Sequence, residues 1–430
     1  MKAEEGEAGM NFQPDAQATN LRYLVLIASA AFTAENMVEP ILPIRVVMMQ
    51  ASSLDLGVIV GIASVSAFLL RIPSGFLCRR VKFGTLISLA LLGEGVAYLL
   101  YGIAPSQVWM YPARILWGMT AAIFMVGMTA TISNASPSER IGWAMGTYLT
   151  SYGLGTMLGP LACSLLLSVL PYSHVMVAAS LLPFAGFLIL CLKFRSTAIW
   201  DSFAGIAPHD RIGGIDSHPS IAEAFSELLS IVSRQRVALA GVLYFLFSVS
   251  ITFLDIVFVV HAVTQLGLDP SVVALMLTAR GIANTVVRTP AGTISDRFGQ
   301  KVPFVISFGS LMLSYLVLAT STEVWLMACA MVVLGAAWGM GVVLEWATTQ
   351  NEAPAESRPI ASTFLPLVWD IAHFIGAVTA GALALFVPAT TILFICAALM
   401  LIAILTVLAL WPSEHFSAYR DLLRRRSQPE

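Results

Sequence analysis

Two stretches of the sequence are similar to each other although they lie 217 residues apart: RIPSGFLCRR at residues 71–80 and RTPAGTISDR at residues 288–297. Both stretches share the first arginine, the proline, the glycine and the last arginine. The same shift superposes further residues, namely Gly118 on Gly335, Asn134 on Asn351, Pro137 on Pro354, Glu139 on Glu356 and Gly159 on Gly376. Self-similarity at a fixed spacing predicts that the chain consists of two halves with the same architecture.

The composition identifies the environment in which these halves fold. Hydrophobic residues make up 58% of the chain and charged residues 11%, whereas soluble domains have roughly half apolar and about a quarter charged residues. The apolar residues form twelve runs of membrane-spanning length, six in each half. Because backbone polar groups in lipid must be paired internally, these runs are helices. The sequence therefore predicts an all-α membrane protein, with twelve transmembrane helices in two pseudo-symmetric six-helix bundles.

The apolar runs also divide the chain into segments. We expect a cytoplasmic tail at 1–20, a first bundle at 21–195, a linker at 196–235, a second bundle at 236–412 and a basic tail at 413–430. Within the linker, Ser220 and Glu223 match a capping box that opens an amphipathic helix ending at Ile231. Such a helix would lie on the membrane surface or on the bundle.

Basic residues are distributed unevenly among the connections between the runs. If the N-terminus is inside, the inner connections carry many lysines and arginines, and the outer ones carry only Arg45. This bias predicts that both termini are cytoplasmic. The first twenty residues lack the features of a removable signal peptide, so we expect the first span to direct insertion. Short connections favour a bacterial inner membrane.

Several classes of function lack their expected residues. The five cysteines include no CxxC pair, and no histidine cluster has metal-ligand spacing. No nucleotide-binding loop, nucleic-acid patch or catalytic constellation is evident. We therefore expect no enzymatic activity, no metal or other cofactor and no nucleic-acid partner. The expected partners are a small-molecule substrate, protons and the bilayer, with a monomeric protein driven by a proton gradient.

The second copy of the repeat carries a specific resemblance. Residues 292–301, GTISDRFGQK, resemble the signature of the major facilitator superfamily between the second and third helices of a half. The first copy differs, since Arg79 and Lys82 replace the aspartate and the second glycine of that signature. In that family the acidic residue pairs with an arginine and a helix end to latch the cytoplasmic side. The resemblance implies the major facilitator fold, with latch residues Arg71, Gly75, Arg80, Arg288, Gly292, Asp296 and Arg297.

Three shorter segments point to one branch of that family. Residues 40–43 (PILP), 114–118 (RILWG) and 155–160 (GTMLGP) resemble motifs of the twelve-helix drug:proton antiporters. In the last segment, Gly155 and Gly159 share one helical face and allow a close neighbouring backbone, while Pro160 bends the helix. These three residues are candidate gating residues, although ordinary small-residue packing is an alternative.

Ionisable side chains within membrane spans are costly and are functional candidates by default. Four carboxylates are candidate proton-coupling residues, namely Glu35, Glu39, Asp255 and Asp370. Proton coupling requires a carboxylate that alternates between a proton and a basic or substrate partner. Glu35 and Glu39 lie four residues apart on one face of the first span and are the best placed.

Candidate substrate-binding residues are Glu35, Glu39, Arg114, Arg280 and His373. Arg114 could pair with Glu35 or Glu39 and release it on protonation, or could form a fixed ion pair with Glu39. Arg280 lies too deep to reach the interface, so it would pair with Asp255 or contact an anionic substrate group. His373 and Asp370 could form a proton relay, although a histidine that links two helices is an alternative.

These residues favour a secondary active transporter that exports drugs or other amphipathic molecules in exchange for protons. One alternative is proton-coupled transport of an organic anion, metabolite or siderophore, in which Arg114 and Arg280 would bind carboxylates. A second alternative is a membrane sensor that does not transport. Lipophilic cations as substrates would favour drug export, organic anions would favour the anion transporter, and an absence of flux would favour the sensor.

Overall fold

The computed structural model describes residues 14–135, 141–195, 198–201, 221–354 and 357–412. The regular elements in these ranges are helices, and twelve spans among them are long and apolar enough to cross a membrane. The predicted all-α membrane fold is therefore confirmed.

The first half contains six spans. The first span is divided into Pro14–Val38 and Leu42–Met48, and the next five are Ser53–Arg80, Phe83–Ile103, Met110–Ala135, Ile141–Leu167 and Tyr172–Phe194. The second half contains Gln235–Thr264, Pro270–Phe298, Lys301–Thr320, Val324–Glu352, Arg358–Leu383 and Ala389–Leu410. Three short helices are Gln107–Trp109, which is a 3-10 helix, Ala198–Asp201 and Ile221–Val232.

The packing of the spans repeats between the halves. In the first half the first span packs on the fifth and the second on the fourth, and the seventh and eighth spans pack likewise on the eleventh and tenth. The halves meet where the second span contacts the eleventh and the fifth contacts the eighth. Because the sequence repeat relates the second span to the eighth and the fifth to the eleventh, exchanging the halves maps one interface onto the other. The two bundles are therefore pseudo-symmetric.

The repeat is preserved in one backbone contact. A Cβ atom added to Gly118 would lie 2.1 Å from the carbonyl oxygen of Ala63, and one added to Gly335 would lie 2.1 Å from that of Arg280. Ala63 and Arg280 are themselves equivalent in the repeat. Only glycine allows a helix backbone to come so close to its neighbour, so the duplicated glycine sets the same helix spacing in both halves.

We call the end of the bundle where the first span begins and the last span ends the terminal face, and the opposite end the distal face. The halves are in contact near the distal face. Gly57 packs closely on Ala377, since a Cβ atom added to Gly57 would lie 2.3 Å from the Ala377 carbonyl oxygen. The hydroxyl of Ser164 donates a hydrogen bond of 2.8 Å to the carbonyl of Ser271, and the helix Leu42–Met48 packs on the seventh span. The distal face is thus closed between the halves.

The linker helix Ile221–Val232 packs on the bundle, which is one of the two placements expected. Ile231 is buried in a small apolar cluster with Val237, Ala353 and Ala361. The proposed capping residues Ser220 and Glu223 lie outside the residues whose side chains are described, and so do most of the two terminal tails.

A candidate substrate cavity between the halves

The first span is interrupted in the middle of the bundle, next to an acidic residue. The helix stops at Val38, and residues 39–41 form turns before the chain resumes as Leu42–Met48. Pro40 lies in the interruption and cannot donate a backbone hydrogen bond, and a second proline, Pro43, stands in the first turn of the short helix. Irregular backbone at membrane depth is tolerated where it lines a cavity, and Pro40 and Glu39 do line one.

This cavity lies between the halves and is partly open to solvent. It is lined by residues of the first, fifth, seventh, eighth and tenth spans. Its polar lining consists of Asn36, Glu39, Thr156, Asp255, Arg280 and Asn284, and Trp338 provides an aromatic wall. Apolar walls with a few convergent polar groups are typical of small-molecule sites.

Asp255 and Arg280 form an ion pair on the wall of this cavity. Nη1 of Arg280 lies 2.6 Å from Oδ1 of Asp255, and the Arg280 guanidinium also stacks on Trp338 at 5.2 Å from the ring centroid. Arg280 is 8% exposed, whereas the Asp255 side chain is 31% exposed and is the more accessible partner. The structure thus brings together two residues that the sequence suggested as partners.

Glu39 and Glu35 approach the cavity from the other half. Glu39 is exposed within the bundle and lies near enough to the Asp255–Arg280 pair for their charges to interact. Glu35 is half-buried one turn away and lies near Glu39 and Arg114. Among the described residues, neither glutamate forms an ion pair. The cavity therefore contains a carboxylate, Glu39, that is available to a ligand.

Arg114 differs from its expected arrangement. The sequence suggested an ion pair with Glu35 or Glu39, but Nε and Nη2 of Arg114 donate to the backbone carbonyls of Ile59 and Val60 at 3.3 and 3.1 Å. Its guanidinium also packs on the ring of Trp117, 4.8 Å from the centroid. The expected pairing is therefore not formed, because the second span supplies acceptors closer to Arg114.

Asp370 pairs with an arginine of the other half. Its two carboxylate oxygens accept hydrogen bonds from Nε and Nη2 of Arg71, at 2.7 and 2.9 Å. This bidentate geometry is the strongest arrangement available to these groups. His373 instead packs edge-on against Trp369, with ring centroids 5.7 Å apart. The structure thus links Asp370 to the expected latch arginine, and among the described residues no hydrogen bond joins Asp370 to His373.

Arg288, the repeat equivalent of Arg71, has different partners. Its Nη2 donates to Oδ1 of Asn284 at 2.9 Å, and its guanidinium lies over the ring of Tyr152 at 5.7 Å from the centroid. The residue equivalent to Asp370 is Gly153. Arg288 therefore has no repeat counterpart of the Asp370 carboxylate.

The glycines of the fifth-span motif are in close contact with the first span. A Cβ atom added to Gly155 would lie 2.5 Å from Cβ of Phe32, and one added to Gly159 would lie 2.7 Å from the backbone of Asn36. Pro160 lies inside the fifth helix and lines the cavity. This motif therefore determines how closely the fifth span approaches the interrupted first span.

The remaining latch candidates lie toward the terminal face. Arg80 is exposed at the end of the second span, and Gly292 has no atom of another segment near the position of an added Cβ. Gly75, Asp296 and Arg297 lie outside the residues whose surroundings the structure describes. The latch that they were expected to form therefore remains a prediction.

Sequence reasoning missed the uncharged polar residues that line the cavity. Asn284 is 2% exposed and lines the cavity. Two acidic residues that the apolar runs already made evident, Glu345 and Glu94, are buried outside the cavity. Among the described residues, both carboxylate oxygens of Glu345 and one of Glu94 lack a hydrogen-bond partner. An asparagine in an apolar run is a weak signal compared with a charge, although its buried amide also needs hydrogen-bond partners.

The family model of the Major Facilitator Superfamily matches residues 24–377 and, in a second match, 240–426. The chain therefore belongs to this superfamily. Solved structures with a similar fold include the nucleoside transporter NupG, with a TM-score of 0.73 and 11% identity over 92% of this chain and 99% of that one. A bacterial homologue of the human lysosomal transporter Spinster, in an inward-facing conformation, has a TM-score of 0.71 and 14% identity over 97% of this chain and 100% of that one.

Similar curated proteins are named for drug resistance. The class B tetracycline resistance protein of Escherichia coli is 26% identical over 61% of this chain and 62% of its own length. Multidrug resistance protein 2 of Bacillus subtilis is 22% identical over 65% of this chain and 68% of its own length. The alignment with the first of these relatives thus spans less than two thirds of that protein.

Proposed function

We propose that the chain exports amphipathic small molecules by alternating access, in exchange for protons that bind at Glu39. The observation that carries this proposal is the exposed Glu39 carboxylate in a cavity inside the membrane, where among the described residues it forms no ion pair. The names of the relatives support the choice of drugs as substrates. The fold supports transport through its two halves, which meet at two equivalent interfaces around the cavity.

The position of Glu39 explains how proton and substrate would compete. The ionised carboxylate attracts a cationic or hydrogen-bond-donating substrate, and the protonated form loses most of that attraction. The Asp255–Arg280 pair lies opposite Glu39, and its half-buried aspartate and buried arginine act on the Glu39 charge in opposite directions. Glu35, one turn away, would receive or pass on the proton. The site therefore binds a proton or a substrate in turn.

The direction of transport depends on the orientation in the membrane. The basic connections favour a cytoplasmic terminal face, following the positive-inside rule, and we expect the membrane to be a bacterial inner membrane. The closed distal face would then be the outer gate. Export requires that substrate enter from the terminal face and leave after the distal contacts separate.

Substitution of Glu39 by glutamine tests this proposal. In proteoliposomes with an imposed proton gradient, we expect Glu39→Gln to lower substrate-dependent proton flux by about tenfold or more, because the neutral amide cannot exchange a proton. Glu323→Gln is the matched control, since Glu323 is exposed at the start of the tenth span. Unchanged coupling in both Glu39→Gln and Glu35→Gln would overturn the assignment of the proton site.

Transport of an organic anion is the main alternative. The sequence suggested Arg114 and Arg280 as its anion-binding groups, but Arg280 pairs with Asp255 and Arg114 donates to backbone carbonyls. Both guanidinium groups are thus already engaged, which favours the exporter. A substrate screen in an efflux-deficient host distinguishes the two functions, and an absence of substrate-dependent flux would favour a sensor instead.

A further inference from the structure

The repeat shows what Arg288 is missing. In the first half, Nε and Nη2 of Arg71 both donate to the carboxylate of Asp370. In the second half, Nη2 of Arg288 donates to Asn284, while its Nε is buried without a hydrogen-bond partner among the described residues. A buried guanidinium nitrogen that lacks an acceptor is costly. The atom that binds a carboxylate in one half is therefore without an acceptor in the other.

Asn284 provides a second free donor next to Arg288. Its Oδ1 accepts from Arg288, which fixes the orientation of the amide, since the opposite orientation would place two donors together. Its Nδ2 is buried and has no acceptor among the described residues. Gly339 packs directly on the backbone of Asn284, since a Cβ atom added to Gly339 would lie 2.4 Å from the Asn284 carbonyl oxygen. Asn284 lines the cavity and is 2% exposed, so the donor belongs to a fixed wall of the cavity.

The two donors lie at a different depth from the acidic side of the cavity. Arg288 lies eight residues after Arg280 on the same helix, which corresponds to about 12 Å along its axis at about 1.5 Å per residue. Glu39 lies near the Asp255–Arg280 pair. The cavity therefore has an available carboxylate at one level and the unpaired amide donor of Asn284 about one helical turn closer to the terminal face. The unpaired Nε of Arg288 lies about one turn beyond Asn284, next to the cavity wall.

We propose that Nε of Arg288 and Nδ2 of Asn284 bind a carboxylate of the transported molecule. This carboxylate would take the place at Arg288 that the Asp370 carboxylate has at Arg71. This inference rests on the proposed function and narrows its substrate class to organic zwitterions. Their carboxylate lies at Arg288 and their cationic group near Glu39, on the order of 10 Å away. Apolar parts of the molecule would contact Trp338.

A pair of dyes that differ in one carboxylate tests the proposal. Tetramethylrhodamine is a zwitterion, and its methyl ester is a cation of nearly the same shape. We expect the purified full chain to bind tetramethylrhodamine in fluorescence anisotropy, and Arg288→Gln to weaken this binding about tenfold by removing a charge-assisted hydrogen bond. Binding of the methyl ester should be unchanged. Arg22→Gln is the control for loss of one positive charge, because Arg22 is exposed on the first span.

A second variant supplies the missing carboxylate from the protein. This variant combines Gly153→Asp with Thr285→Ser, because the Thr285 methyl group would lie 2.9 Å from the added Cβ. We expect the new aspartate to pair with Arg288 and to exclude tetramethylrhodamine, while the methyl ester still binds. This variant adds a partner for a buried group, so it does not depend on a destabilised protein.

The outcomes separate the two proposals. Equal weakening of both dyes in Arg288→Gln, or no binding of tetramethylrhodamine to the unchanged protein, overturns the carboxylate site. If the carboxylate dye binds as expected but neither dye drives proton flux in proteoliposomes, the site stands and proton-coupled export is wrong.

Discussion

Arg71 and Asp370 form a buried, bidentate ion pair between the two halves, with side chains 14% and 4% exposed. Removal of one partner from such a pair leaves an uncompensated buried charge and typically costs about 3–5 kcal/mol. The pair lies where the second span meets the eleventh, so its energy contributes to the association of the halves. Its loss should therefore be visible in the stability of the whole bundle.

We expect Asp370→Asn to lower the thermal unfolding midpoint in detergent, because Arg71 is then buried without its anion. The double variant Arg71→Gln with Asp370→Asn should be more stable than Asp370→Asn alone. A double-mutant cycle of unfolding midpoints measures this coupling. Strictly additive effects of the two substitutions would show that the ion pair does not stabilise the contact.

Pairs of charged residues within one half could be predicted from the sequence, but pairs between the halves could not. Asp255 and Arg280 lie on consecutive spans at similar depth, so sequence distance and depth alone indicate their contact. Arg71 and Asp370 are 299 residues apart, and a pattern of apolar runs does not show which helix faces meet. Arg114 shows a further limit, because its acceptors are backbone carbonyls, which every residue offers.

At the scale of helices, glycine determines the spacing that positions the cavity residues. Gly335 packs directly on the backbone of Arg280, and Gly339 packs on that of Asn284, one turn further along. The tenth span thereby holds two cavity-lining residues of the eighth span in register. The sequence repeat alone indicates that Gly118 and Gly335 are equivalent. The residues on which these glycines pack are evident only from the structure.

We expect Gly335→Ala to reduce transport about tenfold or more, because the new Cβ would lie 2.1 Å from the Arg280 carbonyl oxygen and force the spans apart. The matched control is Gly309→Ala in the ninth span, where no atom of another segment lies within 4 Å of the added Cβ. Transport and surface expression of both variants provide the measurement. Equal activity of the two variants would mean that this helix spacing is not needed for function.

At the scale of the whole molecule, the sequence predicted the fold more fully than the site. Composition requires helices in a membrane, and the 217-residue repeat requires two halves. Neither contains information on which ends of the halves are together, because that depends on many weak contacts between spans. The closure of the distal face is therefore evident only from contacts between the halves, such as the one between Ser164 and Ser271.

A disulfide across the distal face tests alternating access. We expect Ser164→Cys with Ser271→Cys to cross-link under mild oxidation, since the Ser164 hydroxyl contacts the Ser271 backbone. Transport should stop when the bond forms and recover after reduction, because the distal contacts must separate in each cycle. The single-cysteine variants are the controls. Full transport by the cross-linked protein would contradict movement of the halves at this face.

The unequal arginines have a mechanical consequence for this movement. The interface of the second and eleventh spans is held by a buried ion pair, while the interface of the fifth and eighth has an arginine stacked on Tyr152. A cation–π contact is worth about 0.5–2 kcal/mol, less than the cost of breaking a buried ion pair. Separation of the halves must therefore break an ion pair at one edge of the cavity but, at these two equivalent arginines, only a cation–π contact at the other.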